Sequence, residues 1–279
     1  MPVTKGVFNI ETSLGTSKLT HTTIYSRNQP VLLIHGFGST SEIWFKSNDS
    51  LGNVLLKNNF DVWTIKLSHP VIGDIKSLAH EEVFEALEFI NDSTGKKIRI
   101  IAHSMGGLIA RFMVTENILH PYQISEAIEK IEGITLLAVP NHGIKSPKLL
   151  LKLKEYIYKK NSSPSELEVA LVQLLDSSEV VQILNTGKQT LNPKIKWQNA
   201  IGIYDEIVDT DSASFTKEEL EDEIRLDQKE FPCDHMIYPL TENNTIKKIL
   251  DSFNIKINPA IHTYLPVAEW IMNDLKNNS

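Results

Sequence analysis

The sequence predicts an α/β fold in which a mostly parallel β-sheet carries helices on both faces. Short apolar runs, typical of buried strands, alternate with segments of helical periodicity from residue 30 onward. A serine flanked by small residues, at 102–106, stands between one such strand and the helix after it. Because alternating β and α units build parallel sheets, we expect a ligand site beyond the carboxyl ends of the strands.

Strands and helices follow one another in the first half of the chain. Residues 31–34 are a continuous apolar run, as expected of a strand covered on both faces. Residues 77–91 carry apolar side chains at helical spacing, with Ser77 as the predicted N-cap. The predicted strands are 31–34, 60–65, 97–102 and 133–139, and the predicted helices are 51–56, 77–91 and the segment that begins at Gly106.

The second half adds two predicted strands and a terminal helix. Residues 199–204 form an apolar strand that ends at Asp205, and residues 255–261 read as a short alternating strand. Residues 266–275 are predicted as the last helix.

Residues 141–195 interrupt the alternation and are predicted to form a helical insertion. Its first helix, 147–160, is rich in leucine, and a second begins at Ser163 with a proline in its first turn. We therefore predict a core of residues 1–140 and 196–279, with the insertion acting as a lid or cap over the site. The alternative is that these are ordinary helices packed on the sheet.

Composition and charge exclude several classes of protein. The 279 residues, 41% of them hydrophobic, suffice for one large domain, and a net charge of −7 argues against nucleic-acid binding. The single cysteine, Cys233, excludes an internal disulfide and a cysteine-based metal cluster. No metal site and no cofactor is predicted. The chain has no apolar run of about 18 residues, so we expect a soluble protein, cytoplasmic by default, with secretion and oligomeric state left open.

Ser104 is the candidate nucleophile. Residues 102–106 read Ala-His-Ser-Met-Gly, the pattern of a sharp strand-to-helix turn that holds the serine Oγ at the end of the sheet. Ala102 and Gly106 are small, as this turn requires, because it brings them against neighbouring backbone. A serine hydroxyl is a weak nucleophile, so the site also needs a base and an acid that orients the base.

Two backbone N–H groups are the candidate donors to an oxyanion. One belongs to Met105, the residue after the serine, and the other to Phe37, in the His-Gly-Phe-Gly loop that follows the strand 31–34. His35 and His103 lie inside these motifs and are interpreted as structural neighbours of the site.

Three segments, 31–38, 102–107 and 139–143, resemble serine lipases and esterases of the α/β-hydrolase superfamily, in particular bacterial lipases with an Ala-x-Ser-x-Gly elbow. The resemblance extends over roughly residues 30–143. It implies the α/β-hydrolase fold, an Asp at the end of a late strand and a His after the last strand, in the order Ser, Asp, His.

Asp205 is the predicted acid. It follows an apolar strand, and the Val three positions later and the Ser-Ala at 212–213 are similar to the family's pattern. Asp234 is the rival, because the segment after it is similar to an Asp…Val-Pro-Leu pattern of other lipases. Residues 227–232 before Asp234 make a poor buried strand, which favours Asp205.

His262 is the predicted base. It follows the strand predicted at 255–261 and precedes the terminal helix, which is how this family ends. His235 is the alternative: it lies 30 positions after Asp205, a suitable spacing, but no convincing strand precedes it. Choosing His235 would also leave residues 255–279 as an unexplained strand and helix.

The resemblance implies hydrolysis of carboxylic esters through an acyl-enzyme, and the leucine-rich insertion favours apolar acyl groups. The expected partner is a small-molecule or lipid ester, with transient contact to a lipid surface. Phospholipid or thioester deacylation on the same fold is an alternative. A non-catalytic binding protein that uses the fold only to hold a ligand is the alternative from another class.

Overall fold

The computed structural model describes residues 4–23, 28–70, 73–115, 121–145, 167–186, 191–235 and 258–277. Within them the chain forms one eight-stranded sheet, in the order β1-β2-β4-β3-β5-β6-β7-β8. The hairpin β1–β2 joins antiparallel to β4, and the strands from β4 to β8 run parallel. The strands are β1 Thr4–Thr12, β2 Gly15–Thr23, β3 Pro30–Ile34, β4 Asp61–Lys66, β5 Ile98–His103, β6 Ile131–Leu137, β7 Lys196–Gly202 and β8 Leu226–Phe231.

Helices follow most of the parallel strands. The α-helices are α1 Leu51–Lys57, α2 Ile75–Ser77, α3 Phe84–Thr94, α4 Met105–Met113, α5 Pro121–Lys130, α6 Leu167–Gln173, α7 Glu179–Asn185, α8 Thr210–Ala213 and α9 Leu265–Asn277. A π-helix, Leu78–Val83, joins α2 to α3, and short 3₁₀-helices span Ser41–Phe45, Lys217–Glu219 and Ile261–Thr263. None of the helices in these described stretches is long and apolar enough to cross a membrane.

The central strands of the sheet are buried on both faces. Leu32, Ile34 and Ile100 point to one hydrophobic cluster, and their strand neighbours Val31, Leu33 and Ile101 belong to another. This alternation follows from the two-residue period of a strand. Residues of α3, α4 and the π-helix pack in the first cluster, and residues of α1 and α9 pack in the second. The layered α/β architecture predicted from the sequence is therefore confirmed.

The predicted strands of the first half lie within one or two residues of β3, β4, β5 and β6. The N-cap at Ser77 is wrong: the helical segment begins at Ile75, and the Asp74 side chain accepts the Ser77 N–H at 3.0 Å. The hairpin β1–β2 and the edge strand β8 were not among the predicted elements. Most of their residues are polar, so these strands lack the continuous apolar runs of strands that are covered on both faces.

The predicted insertion is only partly covered by the structure. The leucine-rich segment 147–160 and the helix start at Ser163 lie outside the described residues. Further on, α6 and α7 pack into the core, where Ala170, Leu174 and Leu184 are buried. Gln173 anchors this part, because its side chain accepts the Ile75 N–H at 2.9 Å and donates to Asp74. The domain division and the lid stay predictions.

Truncating the centre of the sheet should destabilise the fold strongly. Ile100 is fully buried on β5, between Leu32 of β3 and Ile134 of β6. We expect Ile100→Ala to lower the free energy of unfolding by about 2–5 kcal/mol, because it removes apolar contacts and leaves a cavity. Urea unfolding measures the change. Glu230→Ala, on the exposed part of β8, is the control and should stay within about 0.5 kcal/mol of the parent; equal effects would contradict the assigned core.

Candidate active site

Ser104 stands on a strained turn between β5 and α4. Its backbone has φ 54° and ψ −127°, a conformation that residues with a side chain rarely adopt. The chain is held in this turn from both sides, since the Ser104 N–H donates to the Leu137 carbonyl at 3.0 Å and its carbonyl accepts the Gly107 N–H at 2.9 Å. The turn directs Oγ out of the carboxyl edge of the sheet, as the sequence pattern predicts.

Two glycines permit this turn to pack closely against the loop after β3. A Cβ on Gly36 would lie 2.7 Å from the Ser104 Cβ and 3.3 Å from its Oγ. A Cβ on Gly106 would lie 2.6 Å from the His35 carbonyl oxygen. The distances of 2.7 and 2.6 Å are shorter than a carbon atom tolerates, so a side chain at either position would push the loop and the serine apart.

Asp205 lies just beyond the end of β7, where the sequence places it. Its Oδ1 accepts the backbone N–H groups of Ile207 and Val208, both at 2.8 Å. These bonds explain why Val208 lies three positions after Asp205: at that distance its backbone N–H can hold the carboxylate in place. The second oxygen, Oδ2, stays available and points at His235.

His235 joins the serine to the aspartate. Its Nε2 lies 2.9 Å from the Ser104 Oγ, and its Nδ1 lies 2.8 Å from the Asp205 Oδ2. The ring is almost fully buried, as is the Asp205 carboxylate. A histidine bonded in this way carries its proton on Nδ1 and presents an acceptor nitrogen to the hydroxyl. The arrangement is the geometry that activates a serine.

The structure corrects the choice of His262 as the histidine that meets Ser104. His262 lies in the 3₁₀-helix Ile261–Thr263, where its ring packs edge-on against Trp44 and His103, with centroids 6.3 and 5.5 Å apart. Residues 255–257 of the predicted strand lie outside the described part, and within 258–261 only Ala260 forms a β-bridge, with Asp234. This segment braces the loop that carries His235.

The strand that precedes His235, β8, lacks an apolar run because it lies at the edge of the described sheet. Among the described residues β8 pairs only with β7, and four of its six residues, from Asp227 to Glu230, are exposed. An edge strand of this kind does not need the apolar run that marks a buried strand. The one sequence signal for His235 was therefore its spacing from Asp205.

Asp234, the rival acid, supports the backbone of His235. Its Oδ1 accepts the His235 N–H at 2.7 Å, and its own N–H donates to the Pro259 carbonyl at 2.9 Å. Burial raises the pKa of its carboxyl, and the nearby carboxylate of Asp205 adds to this. On the other side, the His103 Nε2 lies 3.0 Å from the His235 carbonyl oxygen and donates to it.

The candidate oxyanion donors lie beside the serine. Met105 is the first residue of α4, so its N–H has no acceptor within the helix. Phe37 follows Gly36, which packs directly against the Ser104 side chain. His35 lies beneath this loop: its Nδ1 donates to the Gly36 carbonyl at 2.9 Å, and its Nε2 accepts the Leu67 N–H at 3.3 Å.

Three further histidines surround the site, and burial keeps them neutral. Burial lowers the pKa of His35 to about 4 and that of His262 to about 3, and it lowers the pKa of His103 well below its ordinary range. In the described structure His235 is the histidine within hydrogen-bond reach of the Ser104 hydroxyl. Within the described ranges, no three His, Cys, Asp or Glu side chains group as a metal site would require.

Comparison with known proteins points to one family. The sequence profile of the family described as "Putative serine esterase (DUF676)" matches residues 27–169, about half of the chain. That segment includes Ser104 and the loop with Phe37, and ends before Asp205 and His235. No curated protein sequence matches the chain.

Solved structures of esterases and lipases share the fold. An esterase from Pyrococcus furiosus is 15% identical, with a TM-score of 0.55 over 90% of this chain and 93% of its own. A carboxyl esterase from Bacillus coagulans is 15% identical, with a TM-score of 0.57 over 91% and 97%. A lipase from Bacillus licheniformis is 18% identical, with a TM-score of 0.51 over 83% and 93%. The chain therefore has the α/β-hydrolase fold.

Acid should destabilise the protein in part through His262. Since its pKa falls from an ordinary 6.5 to about 3 on folding, the unfolded chain binds this proton first. Stability from this group is therefore complete above about pH 6.5 and is lost as the pH falls toward 3. We expect the free energy of unfolding of His262→Phe to fall less steeply with decreasing pH than that of the parent. Measured by urea unfolding at pH 4–6, the difference in slope should be up to about 1.4 kcal/mol per pH unit.

Trp44→Phe is the control for that measurement. It changes the packing around the same ring but removes no titrating group. Its pH dependence should parallel that of the parent protein. A His262→Phe curve that is also parallel to the parent would contradict the buried, neutral histidine.

Proposed function

The chain belongs to the DUF676 serine esterase family, and from that premise we propose that it hydrolyses carboxylic esters of apolar acyl groups through an acyl-enzyme. The observation that carries the proposal is the hydrogen-bonded series Ser104 Oγ, His235 ring and Asp205 carboxylate, with both links shorter than 3 Å. We assign the roles of nucleophile, base and acid to these three residues. His235 replaces His262 in that assignment.

The proposed reaction has two halves. Ser104 Oγ attacks the ester carbonyl carbon while His235 Nε2 takes the hydroxyl proton, and the carbonyl oxygen becomes an oxyanion held by the N–H groups of Phe37 and Met105. The C–O bond to the alcohol then breaks, and the His235 proton goes to the departing alkoxide. Water, deprotonated by His235, next attacks the acyl-enzyme, and Ser104 leaves with the proton restored.

Asp205 makes this exchange favourable. Its buried carboxylate accepts a hydrogen bond from the His235 Nδ1–H, which fixes the tautomer and stabilises the imidazolium that forms during attack. The two backbone donors at its Oδ1 hold the carboxylate in that position. The acid is therefore oriented before substrate arrives.

Exposed apolar side chains support an apolar acyl group. Ile203 and Tyr204, directly before Asp205, are 42% and 48% exposed. On α6, in the described part of the insertion, Val172 is 55% exposed. These side chains favour an apolar substrate and a transient contact with a lipid surface. The lid role of residues 141–195 remains part of this proposal.

Two alternative functions are considered for the same site. Deacylation of phospholipids or thioesters would use the same residues, because the acyl carbonyl is the reacting group in each. A binding protein without activity is disfavoured by the strained Ser104 backbone, since holding a ligand does not require that cost. Covalent labelling of Ser104 by a fluorophosphonate would exclude a pure binder, whereas no labelling would exclude the esterase.

The two histidines should differ sharply in their effect on activity. We expect Ser104→Ala and His235→Ala each to lower kcat on p-nitrophenyl butyrate by about 10⁴-fold or more, because each removes a member of one catalytic unit. His262→Phe, the matched buried-histidine control, should stay within about tenfold of the parent. The opposite order of the two histidine variants would restore His262 as the base.

The acyl preference should follow chain length. Across p-nitrophenyl acetate, butyrate and octanoate we expect kcat/KM to rise by up to about fourfold for each methylene that is buried, or about 0.8 kcal/mol. Fatty-acid release from phosphatidylcholine vesicles, measured alongside, separates the deacylase alternative. A profile that falls from acetate onward would contradict the apolar acyl site.

A further inference from the structure

The loop after β3, which carries the proposed oxyanion donor Phe37, is hydrogen-bonded to a second segment, residues 67–70, which follows β4. Leu67 donates its N–H to the His35 Nε2 at 3.3 Å, and the Pro70 carbonyl accepts the Gly38 N–H at 3.1 Å. His35 in turn donates from Nδ1 to the Gly36 carbonyl at 2.9 Å. The residues on both sides of Phe37 are thus fixed by segment 67–70.

The Gly36 carbonyl and the Phe37 N–H belong to the same peptide unit. Because a peptide is planar and its C=O and N–H point in opposite directions, fixing the carbonyl fixes the direction of the N–H. Any group that positions segment 67–70 therefore also aims the proposed oxyanion donor at Phe37.

Glu82 is the side chain that positions this segment. Its Oε2 accepts the Ser68 N–H at 3.0 Å, and its Oε1 accepts the Ser68 hydroxyl. Oε2 also accepts the Ser17 hydroxyl from β2. Glu82 is completely buried. A buried carboxylate is costly unless donors surround it, and here the donors come from the segment to be held.

The element that carries Glu82 has an unusual conformation. Glu82 lies in the π-helix Leu78–Val83, which packs against α4, the helix that begins after Ser104. Single π-turns are rare and occur frequently at functional sites. The wider turn lies between the nucleophile helix and the β4 loop, and it brings a carboxylate to Ser68.

We propose that Glu82 is a positioning residue for the oxyanion hole, acting through Ser68, Leu67 and His35 on the Phe37 N–H. The proposal rests on the esterase function proposed above. It predicts that changes at Glu82 act on the transition state, where the oxyanion exists, and leave the bound ester in the ground state largely unaffected.

The neighbouring Glu81 offers a matched control. It lies on the same π-helix and also anchors the β1–β2 hairpin, since its Oε2 accepts the Ser13 N–H at 3.1 Å and the Ser13 hydroxyl. Its described hydrogen bonds reach the turn of the hairpin and not segment 67–70. A loss of activity that comes only from a weakened hairpin should therefore appear equally in variants of Glu81 and of Glu82.

The test compares Glu82→Met, Glu82→Gln and Glu81→Met. Met keeps the length of the side chain but removes both acceptors, whereas Gln keeps an oxygen for the Ser68 N–H and an amide that can donate to the Ser68 hydroxyl. Active sites are counted by titration with a fluorophosphonate, so that kcat on p-nitrophenyl butyrate is expressed per intact site. The inhibition constant of a trifluoromethyl ketone is measured as well, because Ser104 adds to its carbonyl carbon and leaves an oxyanion in the hole.

For Glu82→Met we expect kcat per site to fall about 10- to 100-fold, with KM within about twofold of the parent. The ketone should bind more weakly by a similar factor. Glu82→Gln should recover most of both losses, and Glu81→Met should match the parent. A purely structural role would lower the number of titratable sites and leave kcat per site and ketone affinity unchanged, and that result would overturn the proposal.

If Glu82→Met yields no folded protein, the same measurements are made on Ser68→Ala instead. It removes one donor to Glu82 and keeps the Ser68 N–H, so kcat per site and ketone affinity should each fall about threefold. Unchanged values would overturn the proposal.

The experiment also separates failure of this proposal from failure of the esterase function. If the parent protein hydrolyses no ester but reacts with the fluorophosphonate, the proposed function fails, and slower labelling of Glu82→Met than of Glu81→Met still supports positioning. Equal labelling rates overturn positioning alone. No labelling of the parent overturns both.

Discussion

The strained backbone of Ser104 is the constraint on which the rest of the site depends. At φ 54° the residue lifts its hydroxyl out of the sheet, and β6 and α4 hold the turn through the Leu137 carbonyl and the Gly107 N–H. The same turn demands close neighbours without side chains, which explains Gly36 and Gly106. Backbone strain of about 1–3 kcal/mol is tolerated where the surrounding structure holds the residue in place. Around Ser104 the buried strands provide that support.

Local sequence patterns predict the parts of the site that are fixed locally. Ser104 and Asp205 each follow an apolar, buried strand, and each carries its own supporting motif, so both could be placed from sequence. His235 follows an exposed edge strand, whose side chains satisfy no apolar pattern. Its position depends on the Asp234–Ala260 bridge and on His103, partners that are far away in sequence. Spacing alone could not decide between it and His262.

The secondary-structure elements likewise divide into those that the sequence predicts and those that it does not. The interior strands β3, β5 and β6 have neighbours on both sides and both faces, which forces continuous apolar runs that are readable in the sequence. The β1–β2 hairpin is polar along much of its length, and the π-helix looks like ordinary helical periodicity. The buried carboxylate of Glu82 is equally hidden, because the serines that stabilise it lie 65 and 14 positions away.

The central claim is that His235, and not His262, connects Ser104 to Asp205. Proton NMR of the ring N–H groups tests it directly, since a buried Nδ1–H that donates to a carboxylate resonates far downfield and exchanges slowly. We expect a resonance of this kind that is lost in Asp205→Asn and in His235→Gln and is retained in His262→Gln. A downfield resonance that disappears in His262→Gln but persists in His235→Gln would contradict the account.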